Sequence, residues 1–183
     1  MYDLYQDCEN VLVSEDEINA MVDRLGKEIS RDFEGEPLVV LGVLKGGFVF
    51  MADLIRKITI PLELDFIAVS SYGASTKSSG VVRLIKDTDI DLTGKRVLIV
   101  EDIVDSGLTL SYLKGLLQGR NAKEVKICTA FDKPERRKVD LEADYVGAVI
   151  PDEYVVGYGL DYANYMRNIP ELCVLKRSIY EKP

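Results

Sequence analysis

The sequence contains no histidine. That absence excludes Ser-His-Asp and Cys-His catalysis, the HExxH zinc site and any imidazole ligand, and it leaves acid–base chemistry to carboxylates, lysine or tyrosine. Cysteine is scarce. Cys8, Cys128 and Cys173 are odd in number and far apart, with no CxxC, so neither a disulfide framework nor a thiolate zinc site is indicated. Long apolar runs are missing too: the longest, Pro37 to Leu44, ends after eight residues, well short of the ~20 that a membrane span needs. The opening MYDLYQDCEN is acidic and lacks the basic start and apolar core of a signal peptide, which points to a cytoplasmic protein. Basic residues are outnumbered, 23 against 31, and the net charge of −8 argues against a general affinity for nucleic acid or an anionic membrane. Small charged substrates stay compatible, provided local basic residues meet them.

What is present suits one folded domain. Hydrophobic residues make up 47% of the 183 and charged residues 30%, and a chain of this length buries roughly 70% of its unfolded surface. Ser14 with Glu17 predicts a capping box, followed by Ile18, Met21, Val22, Leu25, Ile29 and Phe33 at helical spacing, hence a helix over about 15–33. An apolar strand (Leu38 to Leu44), a helix after Gly47 and a strand around Leu64 to Val69 then form a βαβ unit. Past a small, polar stretch between Ser70 and Gly80 come strands over Val81–Ile85 and Arg96–Val100, a helix over Leu108–Leu117 and a buried strand over Val125–Phe131. This alternation predicts an α/β fold, a mostly parallel sheet flanked by helices, with ligands beyond the carboxyl ends of the strands. From Lys133 onward the VGAVI, YVVGYG and LCVL pieces suggest a small β-rich hood. The expected division is one domain, 1–183, with a core of about 10–132 and 140–150 and a hood built from N-terminal residues and about 150–177.

The most informative stretch is Val97 to Leu110, VLIVEDIVDSGLTL. A buried strand ending in Glu101-Asp102 carries two acceptor groups to the sheet rim, where they suit the vicinal hydroxyls of a sugar or a divalent cation. Asp105 to Thr109 then place backbone N–H groups, Gly107 and the hydroxyls of Ser106 and Thr109 at a helix N-terminus, which suits a phosphate. A carboxylate pair about five residues from a phosphate cradle fits a ribose 5-phosphate better than a triphosphate. Taken singly, these residues would read as an ordinary cap. Rival motifs fail: there is no GxxxxGK[ST], Gly94-Lys95 reads as a turn, and Gly157-Tyr158-Gly159 has no third glycine.

Over these fourteen positions the chain resembles the phosphoribosyl-pyrophosphate signature of the type I phosphoribosyltransferases. The likeness extends over about 10–177 and points to the hypoxanthine(-guanine) branch of that family. It implies a set of roles. Glu101, Asp102, Asp105, Ser106, Gly107, Leu108 and Thr109 would hold the phosphoribosyl group, Leu108 standing where some relatives carry lysine. Lys45 and Gly46 resemble the pyrophosphate loop, whose Leu44–Lys45 peptide is often cis in the family, and Arg167 aligns with an arginine that helps hold pyrophosphate. Ser71 and Tyr72 with the small residues after them resemble an active-site lid. Lys133 would donate to the O6 of a 6-oxopurine and Tyr154, where phenylalanine is common, would stack on the base. Val155 would offer backbone bonds to the purine edge, with Ile103 and Asp161 also at the base site. Glu101, Asp102 and Asp161 would stand at or near a Mg2+ ion. The implied reaction is purine salvage, transfer of phosphoribosyl to N9 of hypoxanthine or guanine, with Asp105 as the base at N7. The implied partners are these small molecules and further copies of the chain, as a homodimer or homotetramer. The competing readings are a xanthine-preferring enzyme and a non-catalytic sensor of phosphoribosyl pyrophosphate.

Overall fold

The structure, a computed structural model, describes residues 3–71 and 82–181. In chain order the elements are β1 (Cys8–Val13), α1 (Glu15–Asp32), β2 (Leu38–Leu44), α2 (Phe48–Ile55), β3 (Leu62–Ser71), β4 (Val82–Lys86) and β5 (Arg96–Val104). There follow α3 (Leu108–Gln118), β6 (Glu124–Asp132), a 3-10 turn (Pro134–Arg136), β7 (Tyr145–Val149), β8 (Val155–Val156), β9 (Leu172–Leu175) and α4 (Arg177–Tyr180). Helix α1 opens on the expected box: the Ser14 hydroxyl accepts from the Glu17 N–H at 3.3 Å, and Glu17 Oε2 accepts from the Ser14 N–H at 2.8 Å.

The large sheet has the order β4-β3-β2-β5-β6-β7, parallel except for β4. Its strands divide their side chains between two faces, as a period of two requires. Leu38, Val40, Leu98, Val100, Cys128 and Ala130 face α1 and α2, while Val39, Leu41, Val97, Ile99, Val125 and Ile127 face α3. The chain winds outward from β2 to β3 and β4, then returns to lay β5 against β2 and winds the other way. The crevice between β2 and β5 is therefore the point where strand order reverses, the place where open α/β sheets bind ligands.

One expectation is corrected. β5 does not end at Glu101-Asp102 but runs on to Val104, because β6 keeps pairing with it through Val104↔Asp132 after β2 has stopped at Gly42↔Val100. The VGAVI piece, read both as a possible hood strand and as part of the 140–150 core, lies in the large sheet as β7, where Tyr145 is buried beside Phe33 under α1, ring centroids 6.4 Å apart. The smaller antiparallel sheet has the order β1-β9-β8. Ser71, the first lid residue, is the last of β3, and Tyr72 with the run up to Val81 lies outside the described residues.

β3 and β4 are fastened by Asp65. Its Oδ1 accepts from the Phe66 N–H at 2.6 Å and Lys86 Nζ at 3.0 Å, and its Oδ2 from Thr88 Oγ1 at 2.8 Å and the Asp89 N–H at 3.0 Å. Burial alone would raise this carboxyl, but hydrogen bonds to its ionised form overcome that and hold it far below the usual carboxylate range. A depressed pKa contributes stability that is full above the unfolded value of about 4 and is lost as pH falls below it. Asp65→Asn should therefore be less stable than wild type in urea at pH 7, with the gap closing toward pH 3; parallel losses at both pH values would assign the acid sensitivity elsewhere.

Candidate active site

At the switch point three stretches of backbone meet almost without side chains. β2 leads through Lys45-Gly46-Gly47 into α2, and the Leu44–Lys45 peptide is cis. A Cβ on Gly46 would lie 1.5 Å from Asp102 Oδ2, so no larger residue leaves Asp102 in place. From the other side comes Gly159, at φ +98°, whose added Cβ would lie 2.2 Å from the Gly46 carbonyl oxygen. Arg167 secures that third segment: Nη1 donates to the Gly159 carbonyl at 2.6 Å and Nη2 pairs with Asp161 Oδ1 at 2.6 Å. Lys45 stands exposed on the turn.

Glu101 is 9% exposed and Asp102 is half-buried. Burial pushes the Glu101 carboxyl well above its ordinary value, and the Asp102 charge beside it pushes the same way. Burial raises Asp102 as well, opposed by hydrogen bonds from Glu101 and from the Ile103 N–H. Two crowded, desolvated carboxylates of this kind favour a cation. Among the described residues no group of three acidic or thiol ligands converges, and Asp161 is engaged by Arg167 and by the Asn164 N–H at 2.7 Å. The donor set thus fits Mg2+, which keeps several waters and takes one or two carboxylates plus substrate oxygens, and not a closed protein cage. Glu101 and Asp102 would hold it.

Beyond β5 the chain turns through Asp105-Ser106-Gly107 into α3. Gly107, at φ +79°, is the cap residue, and α3 has no side-chain cap. The first N–H groups of an 11-residue helix are thereby directed at whatever lies before it. The turn is braced from below: Arg137 Nη1 donates to the Asp105 carbonyl at 2.6 Å, and the Lys138 N–H to the Ser106 carbonyl at 3.0 Å.

A cavity of about 580 Å³ opens beside this rim, lined by Asp102, Ile103, Asp105, Lys133, Tyr154 and Val155 among others. Lys133 is 7% exposed, and its Nζ donates to the Glu153 carbonyl at 2.6 Å. Burial lowers its pKa, opposed by the nearby Asp105 and Asp152 charges. Because the Leu175 N–H donates to the Tyr154 carbonyl at 2.8 Å, strand alternation turns the N–H and C=O of Val155 away from β9 and toward the open edge. Asp161 lines the same cavity. Glu101, Lys45, Gly46, Arg167 and Ser106 to Thr109 do not line it; Lys45, Gly46 and Arg167 lie at the switch point, Arg167 on a separate cavity with Asp53 and Tyr158.

The sequence reading assigned no role to Arg136. Its Nε lies 2.5 Å from Asp105 Oδ1 and its Nη1 3.0 Å from Asp152 Oδ1, spanning the cavity mouth. Asp105 Oδ1 is buried without a well-aligned hydrogen bond, so that contact is ionic. Strand order held the missing signal: β6 neighbours β5, so the loop after one must lie beside the loop after the other.

Residues 14–163 match the model of the phosphoribosyl transferase domain family. The hypoxanthine-guanine phosphoribosyltransferase of Bacillus subtilis is 54% identical over 175 residues, 96% of this chain and 97% of that one. The bifunctional TilS/HprT protein of Listeria monocytogenes is 50% identical over 179 residues, and there the chain spans 28% of the relative's length. A crystal structure of a hypoxanthine phosphoribosyltransferase from Staphylococcus aureus superposes with a TM-score of 0.94 at 46% identity, covering 98% of this chain and 97% of that one.

The close approach at Gly159 is testable by itself. Gly159→Ala should cost about 2–4 kcal/mol in urea unfolding, from the left-handed backbone and the displaced carbonyl together. Gly35, at φ +78° with nothing within 4 Å of an added Cβ, should cost only about 1 kcal/mol as alanine. Equal losses at the two sites would mean that the contact with Gly46 is not tight.

Proposed function

The chain belongs to the phosphoribosyl transferase domain family, and from that membership we propose that it is a purine-salvage enzyme. It transfers 5-phosphoribosyl from phosphoribosyl pyrophosphate to N9 of hypoxanthine or guanine, forming IMP or GMP and releasing pyrophosphate. The observation that carries this reading is one cavity that joins Lys133, Tyr154 and Val155, a set suited to a 6-oxopurine, to Asp102 and Asp105 on the β5 rim. Similarity to enzymes named for hypoxanthine and guanine supports it over a xanthine-preferring enzyme or a non-catalytic sensor.

In this reading Glu101 and Asp102 orient the ribose diol, and the amides and hydroxyls of Ser106 to Thr109 hold the 5-phosphate, fixing C1′ between the base and the leaving group. Lys45, Arg167 and the Gly46 amide stabilise the charge that grows on pyrophosphate as the C1′–O bond breaks. Mg2+ held by Glu101 and Asp102 would supply further positive charge to offset that build-up. Lys133 donates to O6 and Asp105 takes the proton from N7; Arg136 holds Oδ1 and leaves Oδ2 for that task. A lid formed by Ser71, Tyr72 and the residues after them would keep water from the electron-poor ribose. The proposal includes a homodimer or homotetramer and a cytoplasmic setting, where the three free cysteines would stay reduced. No helix among the described residues is long and apolar enough to cross a membrane.

The test is a spectrophotometric assay with each purine, phosphoribosyl pyrophosphate and Mg2+. Hypoxanthine and guanine should be converted; tight binding without turnover would instead indicate a sensor. Asp105→Asn should lower kcat by about 100-fold or more with little change in the urea midpoint, and turnover at the wild-type rate would remove Asp105 from the base role. Lys133→Ala should weaken GMP binding about 10- to 100-fold while leaving the KM for phosphoribosyl pyrophosphate unchanged; equal losses for both ligands would contradict a contact with the base.

A further inference from the structure

Tyr154 is held from two sides by rings that belong to, or are tied to, the same short helix. Tyr180 of α4 stacks on it, with centroids 4.9 Å apart and planes at 25°. Tyr162 meets it edge-on at 5.9 Å and 78°. The Tyr162 hydroxyl donates to the Ile179 carbonyl at 3.0 Å, so the edge-on ring is fastened to the helix that carries the stacked one. That helix is itself anchored. The Lys176 N–H donates to the Asp7 carbonyl at 3.0 Å, and Ile179 and Tyr180 pack on the apolar cluster around Val156, Ile169, Cys173 and Leu175 in the small sheet.

Tyr154 nevertheless keeps 41% of its surface exposed. Its two neighbours therefore cover only part of the ring, and it still lines the cavity, with Tyr180 beside it. A tyrosine just before an edge strand would otherwise be free to sample rotamers and would lose that freedom on stacking with a ligand. Here the cost is met before the ligand arrives.

We propose that Tyr180 is a positioning residue for the purine, a role that rests on the base site assigned above. It backs Tyr154 and sets the plane in which the base stacks, so it contributes to affinity for the base and not for the sugar phosphate. The contact is ring on ring; phenylalanine can replace Tyr180, whereas leucine, which keeps apolar bulk in the hood, cannot.

Isothermal titration calorimetry with two ligands separates the contributions: GMP, which carries a purine, and phosphoribosyl pyrophosphate with Mg2+, which does not. Tyr180→Leu should weaken GMP binding about 3- to 10-fold, the range expected for one aromatic pair. It should also raise the KM for hypoxanthine by a similar factor, with the affinity and KM for phosphoribosyl pyrophosphate unchanged. Tyr180→Phe should match wild type on every measure. If wild type binds neither ligand, the site assignment itself fails and this inference with it. If wild type binds both, the role of Tyr180 alone is overturned by any of three results: a leucine variant that binds GMP as well as or better than wild type, equal losses for both ligands, or a phenylalanine variant that loses GMP.

Discussion

The contact on which the site depends is the one between Gly46 and Asp102. β2 and β5 pair only as far as Gly42↔Val100; beyond that the two chains diverge in role, one turning into a loop and the other continuing as a strand held on a single side by β6. The gap this opens is narrow enough that Asp102 fills the space where a side chain at 46 would be. Everything nearby follows from that closeness. Asp102 is crowded because the turn lies against it, and Gly159 fits against the far side of the same turn only because it too lacks a side chain. Three segments distant in sequence are thus brought to one point by backbone contact, which leaves little freedom for relative movement.

In the proposed function this arrangement also reconciles an acidic protein with an anionic substrate. A net charge of −8 repels phosphates at long range, but that repulsion is screened beyond about 8–10 Å at physiological ionic strength. At shorter range the cations are individually placed. Arg137 braces the cradle through the Asp105 carbonyl, Arg167 is held by Asp161 and the Gly159 carbonyl, and Arg136 spans Asp105 and Asp152. Each arginine is oriented by an acceptor of its own, so a planar fork meets the site with little rotamer entropy left to lose.

Much of this was legible in the sequence because it is local. The capping box at Ser14, the apolar stripe of α1, the β2–α2–β3 unit and the helix after Gly107 are written in residue spacing, and their observed limits lie within a few residues of those expected. What was not legible depends on partners. β5 runs past its carboxylates because β6 continues beside it, and nothing between Glu101 and Val104 says so. The VGAVI piece is apolar enough for either sheet, and only the cover provided by α1 puts it in the larger one. Arg136 belongs to a run of charges that resembles any solvated loop until strand order sets it against Asp105. Gly157-Tyr158-Gly159 looked like a failed dinucleotide motif; its second glycine is there for the Gly46 carbonyl.

In the proposed function the base end of the cavity would recognise its ligand in two physically different ways, and they discriminate unequally. Lys133 is buried and spends one donor on the Glu153 carbonyl, leaving an ammonium with two donors and no acceptor. A 6-oxo group satisfies it; a 6-amino group brings donor against donor and leaves buried polar hydrogens unpaired, a penalty larger than the gain from any one good hydrogen bond. Val155 would work through its main chain, which offers both a donor and an acceptor at the open edge of β8. A backbone edge of that kind accommodates more than one substituent pattern at purine C2, because the groups it presents are independent of side-chain identity. On that proposal the site would be strict about position 6 and permissive about position 2, the pattern required of an enzyme that accepts both hypoxanthine and guanine and rejects adenine.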